Sequence, residues 1–129
     1  MNLESKKSVV NKSQKELFEF LTNLQNFEQL MPANIDKFEV DGESFLFSLK
    51  GMPEIRLVIK EKKEFDKVVL SAASSKLNFS LTSLIQPVSE NSSELQLLFD
   101  GDFNPMMAMM VKGPLQKFID TLADNSEKL

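Results

Sequence analysis

Between Ile35 and Asp102 apolar side chains recur at every second residue, whereas in the flanking segments they recur at every third or fourth. A period of two marks strands with one buried face, and a period near 3.6 marks helices. Met1 to Val10 alternates weakly and carries β-branched residues, so it reads as an opening strand interrupted by the charges of Lys6 and Lys7. Ser13-Gln14-Lys15-Glu16 is a capping box: the Ser13 hydroxyl can accept from the Glu16 N–H while the Glu16 carboxylate reaches back to Ser13. The helix it starts carries Leu17, Phe20, Leu21, Leu24, Phe27 and Met31 on one face. It is expected to stop by Leu30, because Pro32 forces Met31 out of helical geometry.

The alternating stretch divides at turn formers. Phe38 and Val40 lead into Asp41-Gly42, and Phe45, Phe47 and Leu49 return from it as the second arm of a hairpin. Gly51-Met52-Pro53 makes the next corner, after which Ile55, Leu57 and Ile59 alternate with Arg56, Val58 and Lys60. A charged bend from Glu61 to Asp66 precedes Val68 and Leu70. Leu77, Phe79 and Leu81 form a further strand, and beyond the polar loop Ser89 to Ser93 come Leu95, Leu97 and Phe99. Six strands are therefore expected after the first helix.

Asn104-Pro105 then opens a long helix crowded with methionine. On a wheel of about 100° per residue, Met107, Val111, Leu115, Phe118 and Leu122 form one stripe, while Met106, Met109 and Met110 fall opposite. Behind Pro114 that opposite side carries Lys117, Asp120, Thr121 and Asp124, so only the first two turns are apolar all round. Met106, Met109 and Met110 must line a cavity lip, meet another subunit or lie partly exposed. Gly113-Pro114 predicts a kink or a fresh helix start, since proline removes the N–H that would bond the Met110 carbonyl.

These elements predict an α+β fold in which a curved antiparallel sheet of about seven strands wraps around the long C-terminal helix, with a short helical segment after the first strand. A single helix laid across a twisted, curling sheet leaves a gap at one end unless bulky side chains fill it. At 129 residues, with no long linker, repeat or low-complexity tract, residues 1–129 read as one domain.

Composition removes several function classes. A net charge of -4 and a single arginine, Arg56, argue against a nucleic-acid partner. No apolar run approaches bilayer length, so no stable membrane insertion is expected. The polar, mixed-charge start lacks an export signal, and a cytoplasmic location follows as the expectation. The chain contains no His and no Cys, which removes the commonest general base near neutral pH, thiolate nucleophiles and the usual zinc ligands. No cofactor and no metal is expected.

The order strand, helix, six strands, long helix resembles the helix-grip superfamily, which includes START-type lipid transfer domains, the Bet v 1 allergen group and the polyketide cyclases (SRPBCC). The resemblance spans the whole chain. Its most specific parts are Asn26-Phe27-Glu28-Gln29-Leu30-Met31-Pro32, similar to the helix-to-strand connection of small bacterial members, and the run from Asn104 to Leu115, similar to the start of their last helix. What it implies is an apolar cavity between sheet and last helix that takes lipids, steroids, polyketides or other hydrophobic small molecules. The phenol that several cyclase-like members use to polarise substrate oxygens has no counterpart, because Tyr is absent, as is Trp.

The expected function is therefore non-catalytic binding or transport of a hydrophobic small molecule. Phe47, Leu57, Phe79, Leu81, Leu97, Met106, Met107 and Met110 are the expected cavity lining. A monomer or homodimer fits equally. One alternative is an interaction or dimerisation module using the Met-rich helix start; another is a cyclase- or dehydratase-like enzyme with a carboxylate in the pocket. Arg56 could pair with a carboxylate ligand, but alternation puts it opposite Ile55, Leu57 and Ile59, where a surface-paired arginine is expected. Asp100-Gly101-Asp102 reads as a strand end bent by glycine rather than a metal turn. Ser71, Ser74 and Ser75 have no base beside them to make a nucleophile.

Overall fold

The capping box at Ser13 forms in full, with Glu16 N–H donating to Ser13 Oγ at 3.2 Å and Ser13 N–H donating to Glu16 Oε1 at 3.1 Å. A computed structural model describes residues 1–50, 54–73 and 78–129, so the corner expected at Gly51-Met52-Pro53, and Ser74, Ser75 and Leu77, lie outside the described residues. Helix α1 runs Gln14–Thr22 and then yields to a 3-10 helix, Leu24–Leu30, rather than continuing. The break is an asparagine effect. Asn23 turns extended and its side chain accepts from Gln25 N–H, while Asn26 Nδ2 donates to the Phe20 carbonyl that the helix end leaves open.

Eight strands are present among the described residues, all antiparallel. The expected opening strand is two short ones, β1 (Asn2–Glu4) and β2 (Ser8–Val10), both paired with β8 (Ser92–Asp102). β3 (Ile35–Asp41) and β4 (Ser44–Leu49) form the Asp41-Gly42 hairpin, with Gly42 at φ 61° as that turn requires. β5 (Ile55–Lys63), β6 (Lys67–Ala72) and β7 (Asn78–Ser89) complete the sheet order β1-β8-β7-β6-β5-β4-β3. The charged stretch after Ile59 is not a bend from Glu61 onward. β5 carries Glu61, Lys62 and Lys63 past an irregularity between Ile59 and Glu61, and the chain turns at Phe65, the one non-glycine at positive φ among the described residues. That turn rests on α1 through an edge-on contact of Phe65 with Phe18 and a hydrogen bond from Gln14 Nε2 to the Phe65 carbonyl.

The last helix, α2 (Pro105–Ser126), starts at the predicted point, with Asn104 accepting from Met107 N–H and Pro105 in the first turn. It continues through Pro114 without a fresh start. Its rear half covers the curved sheet with Leu115, Phe118, Ile119, Leu122 and Ala123, all buried. The end of β1 and the gap after it hold that half in place: Lys6 N–H donates to Asp120 Oδ1 at 3.1 Å, and Gln116 Nε2 donates to the Glu4 carbonyl at 2.8 Å. Lys6 Nζ pairs with Asp124 and, at 3.3 Å, with Glu127, and the bond to Asp124 raises its pKa above the usual 10.5. These exposed charges contribute little individually. From the last turn of α2, Asn125 Nδ2 donates to the Leu30 carbonyl and ties the 3-10 helix to the same core. No helix among the described residues is long and apolar enough to cross a membrane.

Replacing Ser13 by alanine removes the acceptor for the Glu16 N–H and is expected to destabilise the protein by about 1 kcal/mol in chemical denaturation. Glu16 is held below its ordinary 4.5, first by the backbone N–H of Ser13 and then by its hydroxyl. Its ionised form therefore supports the fold above pH 4.5, and that support is lost as pH falls through the lowered value. Acid unfolding of Glu16→Gln should lack this component.

Candidate functional site

Under the first turns of α2 the core stops short of full packing. A cavity of about 100 Å³ lies between the helix and the sheet, and its eleven described lining residues are all apolar. Two sets of phenylalanines wall it. Phe47 on β4 and Phe118 on α2 stack at 5.1 Å with planes 6° apart, extending a ring series that runs back through Phe45 to Phe27. On the other flank Phe79 of β7 and Phe99 of β8 stack at 5.3 Å, and Phe103 lies parallel to Phe99 at 6.2 Å. Leu57, Leu81 and Phe99 form a buried floor, while Phe103, Val111 and Met107 are only partly covered and make the lip.

Of the expected lining, Phe47, Leu57, Phe79, Leu81 and Met107 border this cavity. Leu97 does not: it is 1% exposed within the continuous core, where β8 runs beside Ser5 and away from the front of the helix. Met106 and Met110 do not either. They point outward, 75% and 72% exposed, as does Met109 at 85%, because α2 offers only one stripe to the sheet and Met107 occupies it.

Six lining residues were not singled out from sequence: Ile55, Phe99, Phe103, Val111, Leu115 and Phe118. Ile55 and Phe99 share strand faces with Leu57 and Leu97, and Val111, Leu115 and Phe118 share the stripe of Met107, so alternation and helical period carried the signal. Phe103 precedes the Asn104 cap, a position whose apolar side chain commonly folds back on the helix start.

The electrostatics of the cavity are simple, since no ionisable side chain is among its described walls. A cyclase- or dehydratase-type reaction finds no carboxylate there. Arg56 is outside the cavity and donates from Nη1 to Ser44 Oγ at 2.9 Å. A second hollow of about 360 Å³ shares Phe118 with the cavity but opens beside Gly113-Pro114 and carries Lys50, Lys117, Asn34 and Thr121. It is a groove of mixed character, with Pro32, Leu49 and Pro114 beside those polar groups. Asp100 and Asp102 are exposed on β8, and Gly101 between them is buried in a regular ladder opposite Phe79. Its glycine answers to packing: a Cβ there would meet Phe103 Cε2 at 2.8 Å, Phe79 Cβ at 2.9 Å and Phe99 Cε1 at 3.2 Å.

Comparison with solved structures establishes the helix-grip fold. The chain is similar to norcoclaurine synthase from Thalictrum flavum in complex with dopamine and hydroxybenzaldehyde, at a TM-score of 0.73 and 12% identity over 99% of this chain and 84% of that one. It is similar to a START superfamily protein from Mycobacterium smegmatis, with a TM-score of 0.71, 14% identity, and 98% and 94% of the two chains covered. The di-domain aromatase/cyclase BexL of the BE-7585A biosynthetic pathway matches with a TM-score of 0.64 and 14% identity over 98% of this chain and 46% of its own. No protein-family model matches the chain, and no curated protein matches it.

Gly101→Ala pushes a methyl group into three phenylalanines and is expected to destabilise the fold by about 1–3 kcal/mol. A lowered Tm checks the packing claim, and an unchanged Tm would contradict it.

Proposed function

We propose that residues 1–129 act as one cytoplasmic domain that binds and carries a hydrophobic small molecule, without catalysis, in the cavity beneath α2. The observation that carries this reading is the wall itself: stacked phenylalanines and aliphatic side chains, with no ionisable group among the described lining, under a helix start that the sheet only half encloses. Burial of apolar ligand surface at about 25 cal/mol per Å² supplies the affinity. Similarity to a synthase that holds dopamine and hydroxybenzaldehyde and to a START superfamily protein supports a ligand chamber in this fold. The absence of His, Cys and Tyr from the chain favours carriage over chemistry.

Native mass spectrometry of the protein from its source, followed by calorimetry against a panel of apolar compounds, is expected to give a bound species and a negative ΔCp of binding. An empty protein with no heat across the panel would remove the reading.

A second reading, self-association as a homodimer, is favoured by the outward-facing Met106, Met109 and Met110. Met110→Asp separates the two, because Met110 is off the cavity. Retained ligand binding with unchanged sedimentation supports the carrier; a dimer that falls to monomer supports the interface.

A further inference from the structure

Resting on the carrier reading, we propose that the cavity is selective for a small, flat, uncharged aromatic ring, and that it does not enclose a steroid or a long acyl chain. Size is the first reason. The hollow measures about 100 Å³, on the scale of the apolar cavity of roughly 150 Å³ that takes a single benzene. A steroid nucleus of fused rings has several times that volume, and a long acyl chain would have to lie outside.

Shape is the second. The walls are rings: Phe47 and Phe118 lie 6° from parallel on one flank, Phe99 and Phe103 lie 1° from parallel on the other, and Phe79 stacks on Phe99. No ring contact among the described residues joins the two flanks, and both border the hollow. A planar ring entering there meets aromatic faces and edges, whereas a puckered aliphatic ring of equal size obtains only dispersion.

Charge is the third. With no ionisable group among the described walls, a carboxylate or ammonium on the ligand would be desolvated without a partner. Any polar substituent must point to the lip, where Phe103, Val111 and the 40% exposed Met107 are half open to water.

Calorimetry and thermal shift on the full chain should compare toluene, methylcyclohexane, benzoate, laurate and progesterone. Toluene is expected to raise Tm and to bind about tenfold more tightly than methylcyclohexane, with benzoate about a hundredfold weaker and no saturable binding of laurate or progesterone. Val111→Phe should fill the hollow and abolish toluene binding, and Val111→Ala should enlarge it enough to admit naphthalene, with circular dichroism confirming that each variant is folded. Progesterone or laurate binding in place of toluene would overturn the ring selectivity while leaving the carrier reading intact. Equal binding of toluene, methylcyclohexane and benzoate, or toluene binding unaffected by Val111→Phe, would overturn it also. Silence from all five compounds would remove both.

Discussion

The structure depends on the docking of one half of one helix. Leu115, Phe118, Ile119, Leu122 and Ala123 cover the sheet beside α1 and the 3-10 helix, whose Leu17, Leu21, Phe27 and Leu30 join the same buried core. Each of the leucine, isoleucine and phenylalanine side chains removed from water stabilises the fold by about 1.5–3 kcal/mol before entropy is counted. The chain reinforces that contact from both directions. The end of β1 and the gap after it deliver the Glu4 carbonyl and the Lys6 N–H to Gln116 and Asp120, and Asn125 holds the 3-10 helix by the Leu30 carbonyl.

Seen from that contact, the front of α2 is a projection. Once Leu115 and Phe118 are anchored, the unbroken helix carries Met107 and Val111 over the cavity, where they border it without closing it. Packing a void of this kind would need larger side chains at the lip. Instead the phenylalanines stack on their neighbours on each flank, Phe47 with Phe118 and Phe79 with Phe99, and leave the middle vacant. Gly101 enters the same geometry, since its missing side chain lets Phe79, Phe99 and Phe103 close together. Cavity and core are thus one construction, and the mixed groove beside Pro114 shares the same anchor, Phe118.

This division explains why a 12% identical synthase and a 14% identical START superfamily protein share the fold. The helix-on-sheet contact asks only for an apolar stripe facing apolar alternation, a demand many sequences meet. What fills or empties the chamber is decided by a few side chains at its rim, and these are where this chain has methionine, valine and phenylalanine.

Sequence alone determined the elements whose causes are local. The Ser13 capping box, the Asp41-Gly42 hairpin, the alternating strands and the Asn104-Pro105 helix start were all legible, because each depends on residues within a few positions of one another. Five cavity residues were legible as well, from the period of two on the strands and from the helical stripe. Asn23 and Asn26 redirected the expected first helix through side-chain bonds that compete with its backbone, and the opening strand divides where Ser5 Oγ takes the Leu97 N–H and the Lys6 N–H turns to Asp120 of α2, 114 residues away. Only the tertiary structure decided that Leu97 is core, that Met106 and Met110 face outward, and that Phe103 and Phe118 close the chamber. Those outcomes follow from where along the sheet a rigid helix is anchored, and a periodicity reports which face of an element is apolar without reporting what lies opposite it.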